Sequence, residues 1–406
     1  MANRLTEMIC LAVVLFVVGG YTVSAQQEPA TPDQAEPPSE PQELEFRTWT
    51  DSTGKYQVEG AMVKFSGGKA HLQKKDGSTI DVPVGKLSKA DQRYIRQELA
   101  RRAARDKPPK PKPSDVDVPA ADWPGWRGAL RDGKSPDTGL LKQWPAEGPK
   151  KLWQADGIGK GFSNVAVTGG TIYTTGDVGG QLVIFALDTD GKPKWKVPHA
   201  PAYSKDKPGS RSTPMIDGGR LYLVGGNGLV GCYDIKNGQR IWGHDMVREF
   251  GGGVPNWGYA ESVLIYGDLA VVTPGGGNCI VALDKKSGRL VWKSQGFQAG
   301  AQYSSCYAFT YQGVPMITNG TREGIVGVDP KSGRMLWSNP FSAGNIANCP
   351  TPAFADGYVF WANGYNKGGI CLKLATSGGR VAAQEAWTTR DMVCHHGGYI
   401  IHEGYI

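Results

Sequence analysis

The chain has 406 residues, with 45 Lys and Arg against 38 Asp and Glu, and a formal net charge of +7. Its 12 Trp and 16 Tyr exclude a mostly disordered chain, although Gly and Pro make up about a fifth of the residues. The only long apolar run is Met8–Val18, which excludes a multi-span membrane protein. Residues 86–113 carry ten bases and three acids, so the rest of the chain has no excess positive charge that would favour nucleic acid.

Residues 1–25 have the pattern of an export signal. Arg4 precedes the apolar run, and Val23-Ser24-Ala25 is a small-residue cleavage pattern before Gln26. The run is too short to span a bilayer comfortably. We expect an exported protein of the periplasm or cell envelope, which associates with the membrane only if this segment is retained.

Removal of the signal would leave six cysteines. An even number of cysteines in an exported chain permits disulfides, but six allow fifteen pairings and the sequence selects none of them. Free, buried thiols are the open alternative. These cysteines are Cys232, Cys279, Cys306, Cys349, Cys371 and Cys394.

The segment before residue 123 divides by composition. Residues 26–45 form an acidic, Pro-rich leader that we expect to be disordered, and residues 106–122 form a stiff Pro/Lys linker. Residues 46–105 lie between them and predict a small SH3-like barrel, in which Ser88-x-x-Asp91 caps a helix that ends at about Arg105. The strands predicted for this module are Phe46–Thr50, Tyr56–Phe65, Lys69–Lys74 and Thr79–Val84.

This module resembles a known family of interaction domains. The motifs are Arg47-Thr-Trp49-Thr-Asp51, Gly54-Lys-Tyr56-x-Val-Glu59 and Val82-Pro-x-x-x-Lys86-Leu-Ser88. They resemble the SHD family, the SH3-like homology domain of a fungal endocytic adaptor that is also found fused to exported bacterial proteins. The resemblance implies a protein or peptide partner.

From residue 123 the chain repeats one motif, an Asp, a Gly four residues later and a Trp four residues after that. Trp153, Trp195, Trp242, Trp292, Trp337 and Trp387 follow one another at spacings of 42, 47, 50, 45 and 50 residues. Two β-rich runs precede each Asp. The motif residues are Asp188 and Trp195, in a copy one residue shorter, then Asp234, Gly238 and Trp242, then Asp284, Gly288 and Trp292, and finally Asp329, Gly333 and Trp337.

About four short strands per repeat of this length indicate an all-β propeller. We expect the Asp and Gly to form the turn between the third and fourth strands, and the Trp to cover the seam between blades. Five blades are complete, and residues 395–406 match the start of a sixth blade. The sequence therefore predicts a truncated fragment of a larger propeller, or a propeller completed by other means.

These repeats resemble the pyrroloquinoline quinone (PQQ) repeat, whose usual form is Ala-x-Asp-x-x-Thr-Gly-x-x-x-Trp. The lead-in Trp123-Pro-x-Trp126-Arg-Gly128 is similar to that of exported bacterial PQQ-like propeller proteins. The resemblance implies a propeller that usually closes with about eight blades, of which this chain would be a truncated part. It also implies a fold that serves both quinone-dependent dehydrogenases and a cofactor-free scaffold of outer-membrane assembly.

Candidate site residues lie where one blade connects to the next, since these connections share one face of a propeller and differ between repeats. We expect them to ring one mouth of the central channel. Arg211 suits an acidic ligand such as a quinone tricarboxylate. Adjacent residues on a strand point to opposite faces, so we expect no metal at the His-His pair. The candidates are Arg211, Asn256, Trp257, Glu261, Tyr303, Asn348, His395 and His396.

Three functions stay open. A binding or scaffold protein would use the propeller face and the SH3-like module to hold a ligand or protein partner. A dehydrogenase of alcohols or sugars would need PQQ with calcium, for which Glu261, Asn256 and Trp257 are candidate parts. However, no adjacent cysteine pair of the kind common in such enzymes is present. A hydrolase or lyase would use His395 or His396, for which the sequence offers no partner.

Overall fold

The computed structural model describes residues 44–66, 68–105 and 122–406. The predicted signal segment, most of the acidic leader and most of the Pro/Lys linker lie outside these ranges. The chain divides after Ile95 into two compact units. Within the described ranges, no helix combines the length and the apolar character that crossing a membrane requires.

The first unit is a four-stranded antiparallel sheet with strand order β1-β2-β3-β4, followed by the start of a helix that continues past Ile95. Its elements are β1 (Phe46–Thr50), β2 (Gln57–Ser66), β3 (Lys69–Gln73), β4 (Thr79–Pro83), a 3-10 turn (Val84–Lys86) and α1 (Lys89–Arg105). The strand bounds differ from the predicted ones by at most one residue.

The helix is attached to the sheet through Asp91. Arg47 Nη2 donates to one carboxylate oxygen of Asp91 at 2.7 Å, and the Thr50 N–H donates to the other at 2.9 Å. Trp49 is buried and its indole N–H donates to the Gly60 carbonyl at 2.9 Å. The Asp91 bonds tie the start of α1 to β1, and the Trp49 bond satisfies a buried indole within the sheet.

The second unit contains five four-stranded antiparallel sheets, each made of four strands that are consecutive in the chain. The first blade has β5 (Ala166–Thr168), β6 (Thr171–Val178), β7 (Gln181–Asp188) and β8 (Pro193–Pro201). The second has β9 (Met215–Asp217), β10 (Arg220–Val224), β11 (Leu229–Asp234) and β12 (Arg240–Asp245), followed by α2 (Met246–Phe250). The third has β13 (Leu264–Tyr266), β14 (Leu269–Val272), β15 (Val281–Asp284) and β16 (Leu290–Lys293). The fourth has β17 (Tyr307–Tyr311), β18 (Val314–Thr321), β19 (Gly324–Val328) and β20 (Met335–Asn339). The fifth has β21 (Ala353–Ala355), β22 (Tyr358–Asn363), β23 (Gly368–Ser377) and β24 (Arg380–Thr389).

This arrangement confirms the predicted all-β propeller. The first strands of successive blades contact one another, β5 with β9, β9 with β13, and β13 with β17, which places them innermost. The buried apolar clusters join neighbouring blades, so the core is the set of seams between sheets. The connections that follow each fourth strand therefore meet at the axis.

The repeated Trp connects each blade to the next. The indole N–H of Trp195 donates to the Ile235 carbonyl at 2.9 Å, and that of Trp242 donates to the Lys285 carbonyl at 3.1 Å. Trp292 makes the same bond to Pro330 at 2.8 Å. Each acceptor directly follows the motif Asp of the next blade, so the Trp packs on that blade's Asp–Gly turn.

Trp337 departs from this pattern. The fifth blade has Ser377 and two glycines in place of the Asp turn, and the Trp337 indole N–H instead points to Met316 Sδ at 3.4 Å within its own blade. Without the motif turn on the next blade, the Trp has no equivalent carbonyl to contact.

The lead-in crosses the inner strands. Trp123 exchanges backbone hydrogen bonds with Val167 of β5, both at 2.8 Å, and the Pro124 carbonyl accepts from Ile216 of β9. The buried Arg131 donates to the carbonyls of Ser262 and Val263, each at 2.9 Å. Residues 123–131 therefore tie the first three blades together at the axis.

Residues 395–406, which match the start of a blade in sequence, contain no strand, and their only bridge joins His402 to Tyr405. Tyr399 is buried, and its hydroxyl donates to the carbonyls of Thr351 and Phe360 at 2.9 and 3.1 Å. Ile401 packs on the same apolar cluster of the fifth blade, so this segment contacts that blade without adding a strand to it. Among the described residues all six cysteines are free thiols.

Candidate functional site

One cavity of about 590 Å³ opens where the blade connections meet. Residues from the connections before, between and after the five blades line it, which is the convergence expected from their common place in the repeat. Its volume is in the usual range for a small-molecule site. The lining residues are Trp126, Phe162, Lys207, Arg211, Thr213, Trp257, Ala260, Ser262, Tyr303, Ser305, Ala347, Cys349, Thr351, Tyr365, His395 and His396.

Alternate residues of the connections face this cavity. Residues 211 and 213, 260 and 262, 303 and 305, and 347, 349 and 351 line it, whereas the residues between them do not. Successive side chains of an extended segment point to opposite sides. The place of a residue in this alternation therefore decides whether its side chain reaches the cavity.

Hydroxyl groups connect these segments around the axis. The Thr213 N–H donates to Ser262 Oγ at 3.2 Å, the Ser262 N–H to Ser305 Oγ at 3.0 Å, and the Ser305 N–H to Thr351 Oγ1 at 3.4 Å. These four hydroxyl residues recur at one position of the repeat and form the cavity wall. Their recurrence is visible in the sequence, but the predicted site residues include none of them, because the criterion that site positions differ between repeats excludes recurring residues.

Arg211 supplies positive charge to the cavity in a fixed orientation. Its guanidinium donates to the carbonyls of Lys207 and Gly209 and lies over the Tyr203 ring, 4.6 Å from the centroid. Burial lowers the pKa of Arg211, and the attraction of Tyr203 and Asp177 opposes that shift. Lys207 is a second base in the lining, and none of the described lining residues is Asp or Glu.

Trp257 and Tyr303 form an aromatic wall. The Trp257 indole N–H donates to Asp206 at 2.8 Å, and its backbone N–H donates to the Tyr303 hydroxyl at 3.2 Å. Their ring centroids are 5.7 Å apart. Burial raises the pKa of Tyr303 to about 12, so its hydroxyl is protonated at neutral pH. The two adjacent rings offer a surface on which a flat ligand can stack.

Glu261 does not line the cavity, because it lies between the lining residues Ala260 and Ser262 and points into the protein. It is 1% exposed, and one carboxyl oxygen accepts from the Thr273 N–H at 2.5 Å. Burial raises the pKa of Glu261 to about 7, although the Thr273 bonds and the attraction of Arg131 act in the opposite direction. Its bond to Thr273 ties the connection before the third blade to the end of that blade's second strand.

Asn256 and Asn348 also lie outside the lining. Asn256 is exposed, and its carbonyl accepts from the Tyr203 hydroxyl at 2.5 Å. Asn348 is fully buried, and its amide donates to the carbonyls of Thr321 and Ser342 at 2.8 and 3.2 Å. Asn348 thus holds the loop that presents the cavity residues on either side of it.

His395 and His396 both line the cavity. The segment that holds them is irregular, not a strand, so the expectation that their side chains would point to opposite faces does not hold. Their rings stack with centroids 4.1 Å apart, and Cys349 lies beside them. Burial and the neighbouring His396 lower the pKa of His395. Within the described ranges, neither histidine hydrogen-bonds to a carboxylate that could serve as its catalytic partner.

The cavity residues fit one of the two cofactors that the repeat family implies. The aromatic and cationic residues of the lining fit a flat, tricarboxylate quinone. Calcium requires six to eight oxygen ligands, usually including carboxylates. The described lining has no carboxylate, and nearby Glu261 is turned away. These residues therefore do not fit a calcium ion.

A polar row crosses the sheet of the first unit. Ser66 Oγ lies 2.7 Å from His71 Nε2, and His71 Nδ1 lies 2.6 Å from Asp81. The connectivity is that of a Ser-His-Asp triad, in which the acid is buried. Here Asp81 is 50% exposed on an open sheet face, so we assign the row to cross-strand stabilisation.

A family model described as outer membrane protein assembly factor BamB, built on PQQ-type repeats, matches residues 138–251 and 183–405. These matches cover more than half of the chain, so the protein belongs to this family of repeat propellers. A model for SLA1 homology domain 1 matches residues 37–103. Both families agree with the resemblances that the sequence motifs indicate.

Curated relatives match a short part of the chain. The actin cytoskeleton-regulatory complex protein sla1 of Schizosaccharomyces pombe is 42% identical over 57 residues, which are 14% of this chain and 4% of that protein. The protein of the same name from Yarrowia lipolytica is 35% identical over 72 residues, 18% of this chain and 6% of that protein. The matched segment therefore spans a small part of these relatives.

Solved structures similar to this chain include two propellers. BamB from Moraxella catarrhalis is 16% identical with a TM-score of 0.39, over 57% of this chain and 62% of that one. Quinohemoprotein alcohol dehydrogenase from Comamonas testosteroni is 14% identical with a TM-score of 0.45, over 70% of this chain and 49% of that one.

Proposed function

We propose that this is a binding protein whose propeller cavity holds a small, flat anion. The single observation that carries the proposal is the composition of the cavity, where Arg211 and Lys207 face a lining of aromatic side chains that contains no carboxylate. The nearest carboxylates lie outside the lining, since Asp206 lies 3.9 Å from Lys207 Nζ and Asp177 attracts Arg211. Two bases in a lining without an acid favour an anionic ligand. Since Arg211 is already held by carbonyls, its orientation costs little on binding.

A quinone tricarboxylate is the probe that suits this cavity. The Trp257–Tyr303 wall offers a surface for ring stacking, and Arg211 offers a planar fork for a carboxylate. A quinone dehydrogenase is the less favoured function, because that reaction needs calcium and the described lining does not fit this ion.

The test measures binding of PQQ by quenching of Trp fluorescence. Arg211→Ala should weaken binding about 10- to 100-fold, which corresponds to the loss of a charge-assisted hydrogen bond. Arg380→Ala, at an exposed arginine of β24, is the matched control and should leave the affinity unchanged. The trimethyl ester of the quinone keeps the rings but lacks the charges, and it should bind as weakly as PQQ binds to the Arg211 variant. Equal binding of ester and acid would contradict the proposal.

For the SH3-like unit we propose a peptide or protein partner, and hence a scaffold role for the whole chain. The match to SLA1 homology domain 1 supports this, as do the relatives that belong to an actin cytoskeleton-regulatory complex. Tyr56 is its most exposed aromatic residue, with 75% of its surface accessible. Phage-displayed peptides selected on the full chain should lose binding to Tyr56→Ala. Peptides that bind both forms equally would place the contact elsewhere.

We also propose that the protein is exported to the periplasm or cell envelope. The signal pattern of residues 1–25 and the family description, an outer-membrane assembly factor, support this. Expression of the whole chain in a bacterium and fractionation of the cells should give a periplasmic product that begins at about residue 26. A full-length product in the cytosol would contradict export.

A further inference from the structure

One cluster in the cavity contains metal-binding side chains. Cys349 Sγ and one ring nitrogen each of His395 and His396 lie within 4.8 Å of one another. All three residues line the cavity. Cys349 comes from the connection before the fifth blade and the histidines from the connection after it, so the fold brings together groups that are distant in the chain.

Neighbouring rings contact His395. Its centroid lies 4.1 Å from that of the exposed His396 and 4.6 Å from that of Tyr365. Gly364 is close to the same ring, since a Cβ there would lie 2.9 Å from His395 Cγ. A side chain at position 364 would therefore displace His395.

The chemistry of the three groups selects the ion. One thiolate and two imidazoles are ligands for zinc and for soft or borderline transition metals, whereas calcium and magnesium require oxygen ligands. Three protein ligands leave a fourth tetrahedral position open. In this protein the open position would face the cavity.

We propose that Cys349, His395 and His396 form a zinc site with one open coordination position in the propeller cavity. When the ion binds, the Cys349 S–H bond breaks, the proton leaves to solvent and the sulfur bonds to zinc. The imidazoles bind as neutral groups through one nitrogen each. This site deepens the proposed function and rests on it in one respect. A carboxylate held by Arg211 in the same cavity could occupy the fourth coordination position of the zinc ion.

Metal binding can be measured without any anionic ligand, so its failure is distinct from failure of anion binding. Metal-free protein would be titrated with Zn²⁺ against a chromogenic chelator, and with Co²⁺ to reveal a thiolate-to-cobalt charge-transfer band. We expect one equivalent of Zn²⁺ and a thiolate band. The quinone titration on zinc-free protein tests the anion site separately.

Variants identify the ligands. Cys349→Ser should abolish the thiolate band, and Cys349→Ser, His395→Ala and His396→Ala should each weaken zinc binding at least 100-fold, roughly. Cys394→Ser and His402→Ala, at a neighbouring thiol and an exposed histidine, are the matched controls and should bind as the parent does. Thermal melts verify that each variant is folded.

Four results would overturn the proposal. They are parent protein without a thiolate band, a band retained by Cys349→Ser, preferential binding of copper with no zinc bound, and a Cys349–Cys394 disulfide in protein purified from the periplasm. The first and last results are measured on the parent protein, so the proposal can be overturned even if a variant misfolds.

Discussion

The backbone N–H of Ser262 donates to Oγ of Ser305 at 3.0 Å, across 43 residues of sequence. Both residues are buried and both line the cavity. The bond joins the connection of one blade to that of the next, and Thr213 and Thr351 continue the same pattern on either side. The same hydrogen bonds therefore form the cavity wall and hold neighbouring blades together.

Ser305→Ala should lower the free energy of unfolding by about 1–3 kcal/mol, because it leaves the buried Ser262 N–H without an acceptor. Ser305→Thr keeps the hydroxyl acceptor and is the matched control, with a smaller expected loss than Ser305→Ala. Urea unfolding followed by Trp fluorescence measures both. Equal losses in the two variants would show that packing, and not the hydroxyl, stabilises this contact.

Gly333→Ala should destabilise the seam between the third and fourth blades. Gly333 has φ of +71°, and a Cβ there would lie 2.5 Å from Trp292 Cε3. Gly378 has φ of +54° with open space around it, so Gly378→Ala measures the backbone cost alone, about 1–2 kcal/mol. We expect Gly333→Ala to cost a further 1–3 kcal/mol, roughly, in urea unfolding. Similar losses in both variants would exclude the seam contact as the cause.

The stability of the protein should fall between about pH 4.5 and pH 7 because of Glu261. Its pKa rises from 4.5 to about 7 on folding, owing to burial. The folded state therefore holds the proton more tightly, so the stabilisation is complete below the unfolded pKa and is lost as pH rises through the folded pKa.

Glu261→Gln removes this titration and should flatten the pH dependence by about 1–3 kcal/mol. Unfolding in urea at several pH values measures the effect, with Glu147→Gln at an exposed site as control. A slope that persists unchanged in Glu261→Gln would assign the pH dependence to other groups.

Much of the fold can be predicted from the sequence, because the repeated Asp–Gly–Trp motif shows where each blade ends. The motif Trp residues predicted the blade boundaries, and Trp195, Trp242 and Trp292 make the same contact in successive seams. The common position of the connections also predicted that a set of polar and aromatic residues would meet at one cavity. The structure brings five of them together there, namely Arg211, Trp257, Tyr303, His395 and His396.

The rest of the site could not be predicted without knowing which alternate residues of each connection face the cavity. Glu261 and Asn348 belong to the right loops but alternate with the lining residues, so both are buried on the opposite side. Cys349 was grouped only with the other cysteines, because its proximity to His395 and His396 depends on how two distant connections converge. Sequence spacing identifies the loop, whereas the direction of a side chain depends on where its strand ends.

The most direct test of the proposed anion-binding role is a titration of PQQ into the purified protein, in calcium-free buffer and with added calcium. Trp fluorescence would report binding, and reduction of a redox dye with a panel of alcohols would report turnover. For a binding protein we expect saturable quenching that is the same with and without calcium, and no alcohol-dependent dye reduction. Binding that requires calcium, together with dye reduction, would contradict this role and establish a quinone dehydrogenase.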